Sequence, residues 1–453
     1  MKSFIKKIVP KSFLSQYHRT LALLANYFYG KPSEKLIVIG VTGTNGKSTT
    51  AMMIGKILEE AGYKVGITST AIFKIADKEW LNDKKMTMLG RFALQKMLRQ
   101  MVKAGCSYAI IETSSEGIKQ FRHIGIHYDI CVFTNLAPEH IESHGSFENY
   151  KKAKLELFAK LETDTHKTLH NREIKKVIVV NTDDEHAKDF LNFKVDERMA
   201  YGLNENQLLG DMPYLRGDNI NYNHDRIEFT VQGNNFNLKL LGKFNIYNSL
   251  ASMSVAMSQG VDIETCQKAL EKVKSMPGRM EFVLPPSSSP LVKGGENSDF
   301  KVLVDYAPEP DSMTKLFENL KSHSVVSAGS KIIHVLGSCG GGRDTSRRPF
   351  LGQISAKNAD ILVITNEDPY DDDPRLIIDQ VASGALSSGK VLGENLFKIE
   401  DRREAIKFAF NLAKKGDLVL LTGKGCEQAI CVANGKKIPW DEREVVRELL
   451  KSN

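Results

Sequence analysis

Three glycines, a lysine and four hydroxyl side chains stand close together in residues 40–49, GVTGTNGKST. Glycines let backbone N–H groups converge on phosphate oxygens, Lys47 would neutralise the outer phosphates, and the Ser48 hydroxyl could ligate Mg²⁺. The spacing departs from the strict G-x-x-x-x-G-K-[ST] pattern because Val41 stands where the first glycine belongs. An ordinary strand–turn–helix connection with chance glycines is the structural alternative. The apolar run at 36–41 favours a phosphate loop between a buried strand and a helix.

Other polar residues follow apolar runs, where the carboxyl ends of parallel strands meet in α/β proteins. Glu112 ends the run YAIIE, and a carboxylate there could ligate a cation or only cap a helix. Asn135 and His140 lie at or beyond the end of the next run, ICVFTN. A single histidine is more often structural, but this one shares its predicted sheet edge with Lys47 and Glu112. Lys154, in the charged segment YKKAKLELF, would by itself be interpreted as solvated surface.

The elements that must position these residues alternate between strands and helices. We predict strands at 36–41, 65–68, 108–112, 130–135 and 177–181, with helices at 48–61, 91–104 and 147–161. This alternation predicts a parallel sheet with helices on both faces. Short alternating runs in residues 200–241 predict a small antiparallel patch, which is followed by helices at 246–258 and 262–274.

A second α/β unit begins at residue 301, after the loop-like segment PPSSSPLVKGGENSD. Its predicted strands are 301–305, 331–336, 360–365 and 417–421, and its last helix lies near 441–451. We therefore predict an α/β protein with a parallel-sheet P-loop domain and a C-terminal Rossmann-like domain. The predicted boundaries are an N-terminal helical remnant at 1–34, a central ATP-binding domain at 35–280 and a C-terminal domain at 300–453.

Composition limits the function classes. The chain has 453 residues, 42% of them hydrophobic and 26% charged, which is typical of a globular protein of two or three domains. A net charge of +7 without a dense basic tract does not imply nucleic acid, while an anionic substrate is compatible. The six cysteines form no C-x-x-C pair, so we expect no zinc ribbon and a reducing cytoplasm. The apolar run at 21–29 is too short for a stable membrane span and predicts a packed helix, with weak membrane-surface contact as the alternative.

A series of longer motifs resembles one known family. The motifs occur in the order TGTNGKST, ETSSEG, QFR, TNLAPEHIESHG, YKKAKLELF, GKFNIYN, PGRMEF, VDYAPEPD, GSCGGGRD and TGKGCE, between residues 42 and 427. Their sequence and order resemble the Mur ligases, with most likeness to the branch that adds the third amino acid to UDP-N-acetylmuramoyl-dipeptide. The resemblance implies a monomeric, cytoplasmic enzyme of peptidoglycan synthesis. It also implies that ATP converts a carboxylate into an acyl phosphate, which an incoming amine then attacks.

The resemblance also implies roles for individual residues. The expected ATP contacts are Gly43, Thr44, Asn45, Gly46, Lys47, Ser48, Thr49, Asn248, Arg279 and Asp305. Two Mg²⁺ ions are implied, the first held by Ser48 and Glu112 and the second by His140. Lys154 matches a lysine that is carbamylated in the family, and a carbamate offers an oxygen ligand where an ammonium would repel Mg²⁺. Lys47, Lys154 and His140 are thus the expected catalytic residues.

Two further groups of residues would bind the substrates. Thr87, Ser114, Gln120 and Arg122 match residues that hold the muramoyl peptide. The incoming amino acid would contact Arg343, Glu367, Asp368, Tyr370, Gly423 and Glu427. Arg343 would bind its carboxylate, and Glu427 would suit an amino group at its far end. Lysine or another diamine would therefore be compatible.

The chain departs from the family pattern at several positions. Only about 34 residues precede the first strand, and they resemble just the end of the family's UDP-binding domain. We expect the nucleotide to be held less completely, the substrate to be another glycopeptide, or a partner to supply that domain. Tyr370 replaces the arginine of diaminopimelate-adding relatives, whereas Glu116, Pro308 and Cys426 replace histidines.

Alternative functions share parts of this pattern. A folylpolyglutamate synthetase-like ligase has the same domain pair and mechanism. A non-catalytic nucleotide-binding partner of a cell-wall amidotransferase would keep the fold, although one such relative carries a zinc ribbon that this chain lacks. A P-loop switch or motor would hydrolyse ATP without an acceptor amine and would leave the later motifs unexplained.

Overall fold

The structure is a computed structural model that describes residues 11–138, 141–205, 210–223, 225–283, 300–327 and 329–452. The chain forms two compact units. The first comprises Met1–Ile220, Glu228–Asn237 and Lys243–Lys272, and the second comprises Asn221–Ile227, Leu238–Gly242 and Val273–Asn453.

The first unit contains a nine-stranded sheet with the order β11-β10-β9-β6-β1-β5-β2-β3-β4. Its strands are β1 (Ile37–Thr42), β2 (Val65–Thr68), β3 (Ile72–Ile75), β4 (Lys78–Leu81), β5 (Tyr108–Glu112), β6 (Ile130–Phe133), β9 (Val177–Asn181), β10 (Glu197–Gly202) and β11 (Tyr214–Arg216). All neighbouring pairs are parallel except β2–β3 and β3–β4, which are antiparallel. β1 lies between β5 and β6, so the chain leaves β1 at the point where the crossovers diverge to opposite sides.

Helices connect these strands. They are α1 (Lys11–Phe28), α2 (Lys47–Glu60), α3 (Arg91–Lys103), α4 (Ser115–Lys119), α5 (Ile141–His144), α6 (Phe147–Thr163), α7 (Ala187–Leu191), α8 (Lys243–Ser258) and α9 (Ile263–Glu271). The central strands are buried on both faces, which explains why they read as continuous apolar runs. The packed helix expected at 21–29 lies largely within α1, which buries Ala22 and Ala25 but exposes Tyr27 and Phe28.

Smaller sheets accompany this one. β7 (Lys167–Leu169) and β8 (Arg172–Ile174) form an antiparallel hairpin. β12 (Asp218–Tyr222), β13 (Ile227–Val231) and β14 (Asn234–Leu238) form a separate three-stranded sheet. The antiparallel patch predicted for 200–241 is wrong for the first part of that range. There, β10 and β11 extend the large sheet with parallel pairing. Short edge strands of this kind carry no pattern that separates the two pairings.

The second unit contains a six-stranded sheet with the order β15-β16-β20-β17-β18-β19. Its strands are β15 (Glu281–Phe282), β16 (Lys301–Val304), β17 (Ile332–Leu336), β18 (Ile361–Ile364), β19 (Leu396–Lys398) and β20 (Leu418–Leu421), and β21 (Ala429–Val432) pairs separately with β22 (Lys436–Pro439). Its helices are α10 (Pro310–Ser322), α11 (Arg347–Asn358), α12 (Pro374–Ser387), α13 (Arg402–Leu412) and α14 (Glu442–Ser452). Only β15 is antiparallel to its neighbour, so the loops after β16, β17, β18 and β20 share one edge.

The predicted alternation of strands and helices is confirmed in both units, with boundaries within a few residues. The segment predicted as a loop at 285–299 lies outside the described residues. Among the described residues, no helix combines the length and the apolar content needed to cross a bilayer.

Candidate active site

The glycine-rich loop after β1 has the backbone that its sequence predicts. Gly43 and Gly46 have φ angles of 149° and 83°, in the region that favours glycine. A side chain at Gly43 would lie 1.9 Å from Thr134 Oγ1, and one at Gly46 would lie 2.4 Å from Asn248 Oδ1. Both glycines are therefore required by conformation and by space.

The loop is held in place by the segment that follows β6. The backbone N–H of Asn45 donates to Asn135 Oδ1 over 2.9 Å, and that of Thr44 donates to the Asn135 carbonyl over 2.8 Å. Thr134 Oγ1 donates to the Asn45 carbonyl over 2.7 Å. Lys47 Nζ donates to the Thr44 carbonyl over 2.7 Å, so its ammonium group lies over the loop. These bonds order the loop around its two glycines.

Ser48 and Glu112 meet at the carboxyl ends of β1 and β5. Ser48 Oγ donates to Glu112 Oε2 over 2.7 Å, and both side chains are buried. The backbone N–H of Thr70 donates to the same oxygen over 2.7 Å, and Thr70 Oγ1 donates to Glu112 Oε1 over 2.9 Å. Thr70 Oγ1 also lies 2.9 Å from Thr87 Oγ1, whose hydroxyl can donate to it. Thr70 thus connects the expected metal ligand to an expected substrate contact, a role that sequence reasoning missed.

Lys154 is buried beside the phosphate loop, with 1% of its surface exposed. Its Nζ donates to the Gly43 carbonyl over 2.7 Å and lies 4.3 Å from the centre of the Tyr150 ring. The interpretation of Lys154 as solvated surface is therefore wrong. The hydroxyl groups of Tyr150 and Thr44 are 3.1 Å apart, so both ends of this part of α6 contact the loop.

Asn248 reaches the same loop from α8. Its Oδ1 accepts a hydrogen bond of 3.2 Å from Thr50, and its Nδ2 donates to Asn245 over 2.9 Å. Thr49, on the first turn of α2, is buried. Asn248 thus lies against the glycine turn and the start of α2, in the first unit.

The expected peptide-binding residues form a chain of hydrogen bonds after β5. Ser114 Oγ accepts from the Gly117 backbone and caps α4. Gln120 Nε2 donates to Glu116 over 2.6 Å, and Arg122 Nη2 donates to Gln120 Oε1 over 2.6 Å. Burial alone would raise the pKa of Glu116, but hydrogen bonds from Gln120 and Ser143 outweigh it and hold the pKa below its ordinary value. Glu116 therefore stays ionised at the position where the family pattern has histidine.

In the second unit, Asp305 directly follows β16 and accepts hydrogen bonds from the backbone. Its two oxygens accept hydrogen bonds from the N–H groups of Met280 and Ala307, at 2.7 and 2.8 Å. Burial raises the pKa of Asp305, and the charge of Arg279 opposes that shift. The Arg279 guanidinium lies 4.5 Å from the centre of the Tyr306 ring. Asp305 and Arg279 therefore belong to one corner of this unit.

The residues expected to bind the amino acid lie on the loops after β17, β18 and β20. Glu367 and Asp368 are buried, and Glu367 Oε1 accepts from the Cys339 thiol over 2.8 Å. Burial raises the pKa of Glu367. The fully buried Lys424 Nζ donates to Asp368 over 3.0 Å and to Glu427 over 2.8 Å. Lys424 is thus an internal counter-ion for Asp368 and Glu427. Sequence reasoning missed this residue.

The other members of this group lie on the same loops. Gly423 has a φ of 101°, and a side chain there would lie 2.4 Å from Glu367 Oε2. Tyr370 has a φ of 53°, and its N–H donates to the Cys431 carbonyl over 3.1 Å. Arg343 is exposed and forms no ion pair with any residue that the structure describes. A free guanidinium there is compatible with binding a carboxylate.

His140 lies outside the described residues. Within the described ranges, no group of three or more His, Cys, Asp or Glu side chains could hold a metal ion. The Ser48–Glu112 pair nevertheless suits Mg²⁺, which often binds one or two carboxylates together with substrate phosphates. Glu112 is a buried carboxylate with three neutral donors and no cationic partner among the described residues.

Two family models match this chain: the Mur ligase middle domain over residues 41–256, and the Mur ligase, glutamate ligase domain over residues 278–425. This chain belongs to the Mur ligase family. Mur ligases are ATP-dependent enzymes that form amide bonds and use Mg²⁺, so this Mur ligase is an ATP-dependent ligase. The predicted family and fold class are confirmed.

Individual relatives extend over nearly the whole chain. A UDP-N-acetylmuramyl-tripeptide synthetase of Roseiflexus sp. (strain RS-1) is 36% identical over 450 residues, covering 98% of this Mur ligase and 84% of that protein. A UDP-N-acetylmuramoyl-L-alanyl-D-glutamate--2,6-diaminopimelate ligase of Clostridium botulinum is 33% identical over 442 residues, covering 97% and 83%. A solved structure of a ligase with the latter name is 29% identical, with a TM-score of 0.57 and coverage of 92% and 79%.

Proposed function

We propose that this Mur ligase joins an amino acid to the peptide of a UDP-N-acetylmuramoyl substrate through an acyl phosphate. ATP would transfer its γ-phosphoryl group to the peptide carboxylate, releasing ADP. The amine of the incoming amino acid would then attack the acyl carbon, and phosphate would leave as the amide bond forms. The observation that carries this proposal is the buried Ser48–Glu112 contact of 2.7 Å beside the phosphate loop.

The residues of the first unit would bind and orient the reacting groups. The loop N–H groups and Lys47 would hold the phosphates, because catalysis of phosphoryl transfer depends mainly on position and charge. Ser48 and Glu112 would hold one Mg²⁺, and His140 with carbamylated Lys154 would hold a second. A bound Mg²⁺ neutralises the charge that develops on the phosphates. Ser114, Gln120 and Arg122 would position the acceptor peptide.

The second unit would select the amino acid. Arg343 would bind its carboxylate, because its guanidinium forms no ion pair with any described residue. Glu367, Asp368 and Glu427 form an acidic group beside the Lys424 ammonium. An amino acid with a second amino group would fit this charge pattern, and Tyr370 offers no cation for a distal carboxylate. We further propose that the enzyme acts as a monomer in the cytoplasm.

The test is ADP release from the purified chain with ATP, Mg²⁺ and UDP-N-acetylmuramoyl-L-alanyl-D-glutamate against a panel of amino acids. We expect release that depends on both the muramoyl peptide and one or a few diamino acids, with a matching tripeptide product by mass spectrometry. Turnover on a pteroyl glutamate and none on the muramoyl peptide would overturn the proposal. ATP hydrolysis without any acceptor would indicate a switch or motor, and no turnover at all would indicate a non-catalytic partner.

A further inference from the structure

A second arginine lies next to the expected peptide-binding residues. Arg91, the first residue of α3, donates through Nη2 to the backbone carbonyl of Gln120. Arg122 donates through Nη2 to the side-chain Oε1 of the same Gln120 over 2.6 Å and through Nη1 to the Met88 carbonyl. The two guanidinium groups therefore meet at one glutamine, although the residues are separated along the chain.

Neither arginine is neutralised locally. Among the described residues, no carboxylate lies within ion-pair distance of Arg91 or Arg122. The Arg91 Nε atom is buried and has no hydrogen-bond partner in the described part of the chain. Burial and the positive charge of Arg122 lower the pKa of Arg91, which agrees with two cations held close together.

The carboxylate that acts on Arg122 is already engaged. Glu116 accepts hydrogen bonds from Gln120 over 2.6 Å and from Ser143 over 2.8 Å. It holds the Gln120 amide so that its oxygen faces Arg122. With two arginines and one glutamate, this group carries a net charge of +1. Uncompensated guanidinium pairs are costly to assemble unless an anion shares them.

We infer that Arg91 and Arg122 form a two-arginine site for an anionic oxygen group of the acceptor substrate, with Arg91 as a specificity residue of the reaction. This inference rests on the proposed function. A carboxylate of the acceptor peptide and a phosphate of its nucleotide offer the same chemistry, since both accept paired N–H donors. Arg91 would bind this group in the ground state and in the transition state, so its effect would fall on KM rather than on kcat.

The test compares Arg91→Gln and Arg91→Lys with Arg99→Gln, a control on the same helix that forms no ion pair with the described residues. We expect Arg91→Gln to raise the KM for the UDP-muramoyl dipeptide by about tenfold or more, the size of a hydrogen bond to a charged group. The KM for ATP, kcat and melting temperature should match those of the control. The acceptor KM of Arg91→Lys should lie between those of wild type and Arg91→Gln. Added salt should raise the acceptor KM less in Arg91→Gln than in wild type.

Acceptor analogues identify the bound group. If it is the carboxylate of the acceptor peptide that is not phosphorylated, amidating that carboxyl should abolish the difference in acceptor KM between wild type and Arg91→Gln. If it is a phosphate, muramoyl dipeptide without the nucleotide should abolish it. An acceptor KM in Arg91→Gln equal to that of Arg99→Gln would overturn the inference, as would a change in melting temperature that accounts for the whole effect.

Assays of the wild-type enzyme alone distinguish a failure of the proposed function from a failure of this inference. If wild type releases no ADP with any muramoyl peptide, the proposed function fails and the site is tested by binding. The phosphate loop is then filled with ADP and Mg²⁺, and inorganic phosphate or glutarate is titrated while the melting temperature is followed. Weaker stabilisation of Arg91→Gln than of Arg99→Gln supports the site, and equal stabilisation overturns it.

Discussion

Glu112 is the residue on which the phosphate-loop site most depends. Its carboxylate is buried, accepts three hydrogen bonds from neutral donors and has no cationic partner in the described ranges. Isolated buried carboxylates are unfavourable, so a bound cation would stabilise this one. Its position at a strand end was predictable from the run YAIIE, whereas the Thr70 donors were not. Thr70 follows a different strand, and no local pattern connects it to Glu112.

Glu112→Gln should lower ligation by about 10²- to 10³-fold, the size found when one electrostatic stabiliser is removed. The amide keeps the shape, and its oxygen can still accept from Ser48 and the Thr70 backbone, but it lacks the charge that would attract Mg²⁺. ADP release at increasing Mg²⁺ measures this, with Glu162→Gln, an exposed residue of α6, as control. An unchanged Mg²⁺ requirement in Glu112→Gln would contradict the assignment.

Lys154→Ala should lower the rate of ligation to no more than about 10²-fold above the background rate. Acetate or formate should partly restore the rate, because these ions replace the carbamate oxygen. Lys160→Ala, on the same helix and paired with Asp164 at 2.7 Å, is the control and should stay active. Full activity of Lys154→Ala would disprove the carbamate, and a loss without rescue would indicate that the lysine only supports the Gly43 carbonyl.

Tyr370→Arg should move the amino-acid preference toward diaminopimelate, because it adds a cation for a distal carboxylate. The backbone there has a φ of 53°, which both residues must adopt, so the folding cost should be similar. Ratios of kcat/KM for lysine and diaminopimelate measure the shift. An unchanged ratio would show that this position does not contact the side chain.

Among the elements, α13 fixes the loops that carry the amino-acid site. Arg402, its first residue, is buried against Glu442, donates to the Asn366 carbonyl over 3.1 Å and to the Thr422 carbonyl over 2.8 Å. Those carbonyls precede Glu367 and Gly423, on the loops after β18 and β20. Sequence patterns predicted both strands but not this link, because a charged first residue of a helix is usually solvated.

Arg402→Met should destabilise the second unit by about 3–5 kcal/mol, because it leaves the Glu442 carboxylate buried without its cation. Arg402→Met/Glu442→Leu should recover much of that loss, since it removes both charges. The double variant should still show a raised KM for the amino acid but an ordinary KM for ATP. Denaturant unfolding and steady-state kinetics measure the two effects, and a normal amino-acid KM in the double variant would refute the positioning role.

At the scale of the whole molecule, each unit places its candidate residues at the carboxyl edge of a mainly parallel sheet. That much followed from the alternating pattern and the strand-end motifs. The sequence alone did not predict Lys154 as buried, Lys424 as a counter-ion or β10 and β11 as sheet extensions. Each of these features depends on partners far away in the chain, about which local periodicity carries no information.

Two buried histidines should make the stability of the molecule depend on pH. Burial lowers the pKa of His123 to about 4 and that of His334 to about 3, whereas both titrate near 6.5 when unfolded. Between these values the unfolded chain binds more protons than the folded chain, so stability falls as pH decreases below 6.5. Between pH 7 and pH 5, the free energy of unfolding of His334→Gln should fall by about 2 kcal/mol less than that of wild type.

Denaturant unfolding at both pH values measures this difference. His170→Asn, which replaces an exposed histidine, should show the full wild-type loss. An equal loss in His334→Gln and wild type would mean that His334 becomes protonated in the folded state.

The phosphate loop also has a consequence for the order of folding. Its supporting bonds join residues that are 90, 111 and 198 positions apart, through Asn135, Lys154 and Asn248. Such long closures form late, after local helices and hairpins. On the ribosome, therefore, a nascent chain that ends before α8 would contain every glycine of the loop yet lack the contact that completes it. Nucleotide binding would appear only after that helix has emerged, and so would report when the first unit has finished folding.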